Sequence, residues 1–84
     1  MASGFRWIDW NLEHATKHGC RIEEIESIVL NPPRGFPRNI GDGKTIVVGR
    51  GIGGRFVRVI YVTDDDGTPF VIHAMPLTTR RRRR

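Results

Sequence analysis

The apolar and polar positions divide the chain into a helical front and a stranded back. Asp9 is placed to cap a short helix over residues 10–18, its carboxylate accepting free amides of the first turn. Gly19 suits the left-handed residue that ends it. At about 100° per residue, Ile8, Leu12 and Ala15 share one apolar stripe. Asn11, His14 and His18 form an adjacent polar stripe, with Trp10 and Lys17 beyond His14. A second helix is predicted from Ile22 to Leu30. Ile22, Ile25, Ile28 and Val29 recur on one side, and Glu23 and Glu24 sit in the first turn, where the helix dipole favours anions. Asn31-Pro32-Pro33 stops it, since proline lacks an amide donor and disfavours helix in the residue before it. Residues 31–43, rich in Pro, Gly, Arg and Asn, read as a loop.

Three β-branched runs follow: Thr45 to Gly49, Arg55 to Thr63 and Pro69 to Met75. Gly51-Ile52-Gly53-Gly54 and Asp64-Asp65-Asp66-Gly67 supply turn chemistry between them, and Phe5 to Ile8 offers a short first strand. The expected fold class is α+β. Two N-terminal helices pack on one face of a three- to four-stranded, mainly antiparallel sheet in the order β-α-α-β-β-β. On the middle strand Phe56, Arg58, Ile60 and Val62 are the bulkier set and are assigned to the helices. That leaves Arg55, Val57, Val59 and Tyr61 on the open face.

Length and charge sharpen this outline. A chain of 84 residues makes one domain with a small core, which excludes a cleft between domains and a dinucleotide-binding βαβ repeat. Residues 1–79 hold nine basic and nine acidic side chains, so Arg80 to Arg84 supply the whole net charge of +5. The chain therefore divides into a neutral body, residues 1–79, and a basic tail, residues 80–84. Such a tail is either a solvated terminus or an electrostatic arm for a polyanion. The single Cys20 cannot form an internal disulfide, no apolar run approaches the ~20 residues of a membrane span, and the N-terminus lacks a secretory pattern. Together these point to a cytoplasmic protein with no membrane association.

The glycines from Gly49 to Gly54 follow a strand as a phosphate-binding loop does, but another strand comes next where that motif needs a helix. A flexible hairpin is the reading. His14, His18 and Cys20 lack the further ligands and spacing of a metal site, so neither metal nor cofactor is expected. Ser3 and Ser27 lie outside any nucleophile elbow, and Cys20 reads as a small buried or edge thiol. What remains is a set of donors. His14, Lys17 and His18 come from the first helix, Arg50 and Arg55 from a hairpin, Tyr61 and His73 from strands, and Arg80, Arg81 and Arg82 from the tail. Imidazoles and guanidinium groups are what metal-free RNA cleavage uses: one group takes the 2′-hydroxyl proton, another protonates the leaving oxygen, and arginine balances the phosphorane charge. The same groups also suit simple phosphate binding.

Read in order, the residues resemble the BrnT family of type II toxins, which have a RelE-like fold. The resemblance rests on Phe5-Arg6-Trp7, Trp10-Asn11, Lys17-His18-Gly19 and Glu23-Glu24-Ile25-Glu26. It continues through Gly49-Arg50, Gly54 to Tyr61 and Val71 to Thr78, covering roughly residues 5 to 82. It implies a toxin of a toxin-antitoxin module, a metal-independent endoribonuclease that blocks translation by cleaving RNA. It implies a cognate ribbon-helix-helix antitoxin as partner, with DNA engaged only through that antitoxin. Lys17, His18, Arg50 and Arg55 fall where the family pattern has its polar residues; joined to the donor set above, catalytic roles are assigned to Arg55, His73, His18, Arg50 and Tyr61, and RNA phosphate binding to His14, Lys17 and Arg80 to Arg82. The alternative is a non-catalytic RNA- or protein-binding module on the same scaffold. The chain departs from the family pattern at His73-Ala74-Met75, where relatives carry Ser-Ala-Arg, in the terminal arginines, and at Arg21, where relatives place a serine or threonine cap.

Overall fold

Two helices precede four strands. In the computed structural model, which describes residues 4–77, α1 spans Asp9–Thr16, α2 Ile22–Leu30, β1 Arg38–Gly41, β2 Lys44–Arg50, β3 Phe56–Thr63 and β4 Pro69–Pro76. Each strand pairs antiparallel with its neighbour in sequence, giving the sheet order β1-β2-β3-β4. The fold is α+β, with both helices on one face of a four-stranded antiparallel meander. The tail, residues 80–84, and the end of the body at residue 79 lie outside the described residues.

The fourth strand comes from the segment expected to be a loop. Asp42 and Gly43 both have positive φ (55° and 73°), and they reverse the chain between Gly41 and its partner Lys44. Asp-Gly is the residue pair that a two-residue hairpin turn of this hand selects, because both positions must be left-handed. Phe5 to Ile8 adds no strand; it runs beside the start of β4, where the Arg6 amide donates to the Pro69 carbonyl at 3.0 Å. The order is thus ααββββ. Asp9 lies inside the first turn of α1 rather than at its cap, and the Asn11 side chain instead accepts the Ile8 amide at 2.7 Å.

The core is a single layer between helices and sheet. Ala15, Cys20, Ile25 and Ile28 meet Val47, Val57, Val59, Val71 and Ala74, all buried. Each fully buried valine or isoleucine contributes roughly 1.5–3 kcal/mol. This reverses the assignment of β3: Val57 and Val59 face the helices, and Phe56, Arg58, Ile60 and Val62 face away. Bulk is the wrong criterion. Compact β-branched side chains let the helices approach the sheet closely, and Gly49 lets Ile28 come closer still, since a Cβ there would lie 3.1 Å from the Ile28 methyl. Phe56 is accordingly 41% exposed.

Candidate functional site

One end of the sheet, near α2, is a closed polar corner. The Glu24 side chain, fully buried, receives the Arg55 guanidinium at 2.9 and 3.1 Å, the Ile52 amide at 2.8 Å and the Arg21 amide at 3.2 Å. Arg55 also donates to the Gly19 carbonyl at 3.1 Å. The Arg55 hydrogen bonds, with those of Ile52 and Arg21, hold the Glu24 carboxyl below its ordinary range despite burial. Gly51 must be glycine here, because a Cβ would overlap the Glu24 carboxylate. Arg55, predicted on the open face, is instead the clamp between α2 and the β2–β3 turn. Tyr61 likewise lies on the helix side, packed against the core, and burial pushes its hydroxyl pKa up. Cys20 is buried beside this corner. Burial, then Glu24, raise its thiol pKa, which suits an inert core thiol.

The opposite face of the sheet is open and differently built. Cross-strand partners share a face, so the register places Lys44, Ile46, Val48 and Arg50 beside Val62, Ile60, Arg58 and Phe56, and these beside Phe70, His73 and Met75. Of the charged residues at these strand positions none is acidic. Arg50 lies at one end, its guanidinium 4.6 Å from the Phe56 ring centroid and its Nη1 donating to the Gly54 carbonyl at 3.2 Å.

His73 reaches this face through an irregularity. Ile60 pairs with His73 and Tyr61 with Val71, so Ile72 is an extra residue in β4. The bulge lets both Val71 and Ala74 face the core and turns His73 outward, opposite Ile60. Arg58, two positions before Ile60 on β3, faces Met75, its Nη2 lying 3.7 Å from the sulfur. The His18 ring, just past the end of α1, lies 6.0 Å from that of His73. Burial first, then Arg58, His18 and Lys17, lower the His73 pKa below 6.5. Arg58 Nε and His73 Nε2 are buried without hydrogen-bond partners. A protonated imidazole would carry a donor at Nε2 with nothing to receive it, which agrees with that direction.

The structure therefore brings Lys17, His18 and His73 together and adds Arg58, which the criterion of bulk assigns to the helices. A charged residue in mid-strand between Val57 and Val59 is the available signal: it argues that its own side of the strand is the open one. His14 stands four residues before His18, stacked on Trp10 at 4.1 Å. Arg80, Arg81 and Arg82 lie outside the described residues. Among the described residues no group of three or more His, Cys, Asp or Glu side chains converges as metal ligands would, and no helix is long and apolar enough to cross a membrane. No family model, curated protein or solved structure matches the chain.

Proposed function

We propose that the chain is a metal-independent endoribonuclease of the toxin type, acting at the open face where His73, Arg58, His18 and Lys17 meet. The observation that carries this reading is His73 itself: a half-buried imidazole facing Arg58, His18 and Lys17, whose own Nε2, like the Nε of Arg58, is buried without a hydrogen-bond partner. Buried polar atoms are nearly always satisfied, and exceptions concentrate where a ligand or reaction uses the group. An imidazole kept neutral near pH 7 among cations is equipped to take a proton from a group bound to a phosphate.

In this reading His73 removes the proton from a 2′-hydroxyl. The 2′-oxygen then bonds to phosphorus, the bond from phosphorus to the 5′-oxygen breaks, and His18 protonates that departing oxygen. The products are a 2′,3′-cyclic phosphate and a 5′-hydroxyl. Arg58 and Lys17 balance the charge that builds on the phosphorane, and Arg50 holds a neighbouring phosphate at the far end of the face. Met75 stands where the resemblance leads one to expect an arginine, and Arg58 is its cross-strand partner on the same face. The guanidinium is thus present one strand away.

A second reading is favoured by the aliphatic part of the same face. Ile46, Val48, Ile60, Val62 and Met75 share it, each half-buried, and Phe56 is exposed. Such a surface suits a protein partner, an antitoxin in the first reading or the sole ligand of a non-catalytic module. Incubation of the purified chain with single-stranded RNA in EDTA decides between them. Cyclic-phosphate ends that vanish with Arg58→Ala or His73→Gln support the nuclease; intact RNA and normal growth on induction favour the binding module.

A further inference from the structure

A row of planar groups runs along the exposed side of α1 and ends at His73. Trp10 and His14 stand four residues apart on α1, the spacing that aligns side chains on one helix face, and His18 follows in the turn just past its end. The Trp10 indole, 49% exposed, lies 4.1 Å from the His14 ring and only 26° from parallel to it. His14 Nδ1 donates to the Trp10 carbonyl at 2.7 Å, which keeps the imidazole flat on the indole. On the β4 side Trp10 is parallel to Phe70 within 6°, at 6.3 Å, and the Arg6 guanidinium lies 4.1 Å from the Phe70 centroid. At the other end His18 meets His73.

The chemistry of this row is that of a nucleobase platform. Nucleobases stack on indole, imidazole and guanidinium planes, and single-strand binders combine such planes with a cationic track for the backbone. Here the cations are Lys17, which separates the row from the Glu13 carboxylate around the helix, and Arg58 beyond His73. Bases within a duplex are already stacked and paired, so only an unpaired strand can use the row.

We infer that the Trp10–His14–His18 row binds the unpaired bases of single-stranded RNA and thereby sets which phosphodiester reaches His73. This rests on the nuclease reading of the open face and adds a subsite to it.

The test uses fluorescence and an uncleavable probe. The chain has two tryptophans, and the Trp7 indole is half-buried and donates to Glu26 at 2.9 Å, so Trp10 is the one a ligand can touch. A single-stranded 2′-O-methyl oligoribonucleotide should quench Trp10 emission in Trp7→Phe; if that variant does not fold, the difference between wild type and Trp10→Phe gives the same signal. Heparin, a polyanion without bases, should bind without quenching. Trp10→Ala should weaken oligonucleotide binding roughly 5- to 150-fold while leaving heparin binding unchanged. Wild-type affinity in a folded Trp10→Ala, with salt-dependent binding intact, overturns the base track and leaves the nuclease reading standing. Equal binding of duplex and single strand without quenching overturns it too. Failure to bind oligonucleotide, RNA or heparin at all removes both.

Discussion

Arg55 and Arg58 stand three residues apart at the start of β3 and have opposite surroundings. Arg55 turns toward the helices and is consumed by the fold, its guanidinium shared between Glu24 and the Gly19 carbonyl. Arg58 turns to the open face, where its Nε has no partner and its Nη2 has only a methionine sulfur. The same contrast separates Glu24, which accepts four hydrogen bonds, from His73, surrounded by like charge. A polar group whose hydrogen bonds are all made within the chain stabilises that chain. One left unmade is available to something else. The comparison predicts that the two arginines fail differently when removed.

The largest effect is expected in activity. Arg58→Ala removes a cation facing the reacting phosphate and should slow RNA cleavage by about 10²–10³-fold, with the melting temperature nearly unchanged. Arg55→Ala leaves the Glu24 charge buried with two amides. Because Arg55 is itself partly exposed, a loss of stability smaller than that of removing Glu24 is expected, with activity falling only as the folded fraction does. Cleavage rates measured beside thermal melts separate the two. A stable, inactive Arg55→Ala beside an active Arg58→Ala would invert the comparison and return the site to the corner.

The second effect strikes the corner itself. Glu24→Ala leaves Arg55 and the Ile52 and Arg21 amides without their acceptor and should cost about 3 kcal/mol, a fall of roughly 12–24 °C in melting temperature. The wild-type acid limb follows from the same group. Its folded pKa lies below the unfolded value, so the stabilisation is complete above about pH 4.5 and is lost as pH falls through the folded pKa. Denaturant melts from pH 7 to pH 2 should show this loss in the wild type and a flatter profile in Glu24→Gln. Equal slopes would mean that Glu24 is not the group titrating.

A smaller effect comes from the backbone beside it. Gly51→Ala pushes a methyl group into a carboxylate that four hydrogen bonds hold in place, and overpacking of this kind costs about 1–3 kcal/mol. The double variant Gly51→Ala/Glu24→Ala should then lose less than the sum of the single losses, because the clash disappears with the carboxylate. Strict additivity in chemical denaturation would show that the two sites do not meet.

Most of the scaffold is legible in the order of residues alone. The helix α2 has its predicted bounds, since its apolar period, acidic first turn and Asn-Pro-Pro stop all agree. The three long strands also lie where the β-branched runs place them. β1 escapes the pattern because its four residues are all exposed and carry no apolar alternation, although Asp42-Gly43 announces the hairpin. The site is legible in its residue types but not in its geometry. Chemistry alone singles out His18 and His73, yet nothing in the strand pattern reveals the bulge at Ile72 that turns His73 outward. Arg55 is named as a hairpin donor and through the resemblance, but its place on the open face rests on a face assignment based on bulk. Its partner Glu24 lies 31 residues away on a helix, and the usual reading of an acid in a first helical turn, a response to the dipole, conceals a buried acceptor.

The smallest effect is a titration, and it probes the open face most directly. His73 should titrate below 6.5, because burial and then Arg58, His18 and Lys17 disfavour its protonated form. Removing these charges one at a time should raise its pKa in the order of their influence, more for Arg58→Gln than for Lys17→Gln. Neither change should restore 6.5, since burial is the larger cause and remains. The stability linkage has a definite sign. With the folded value depressed, the unfolded chain binds the extra proton, so stability falls as pH drops from about 6.5 through the folded pKa and levels off below it. The cleavage rate, if His73 is the base, should follow the same acid limb, and that limb should move upward in Lys17→Gln along with the imidazole resonance. With three histidines in the chain, His14→Gln and His18→Gln assign the signals in an NMR titration. An imidazole of His73 that titrates at or above 6.5 would mean that the cations around it are not felt. The contrast between a closed corner and an open, positively charged face would then lose its chemical half.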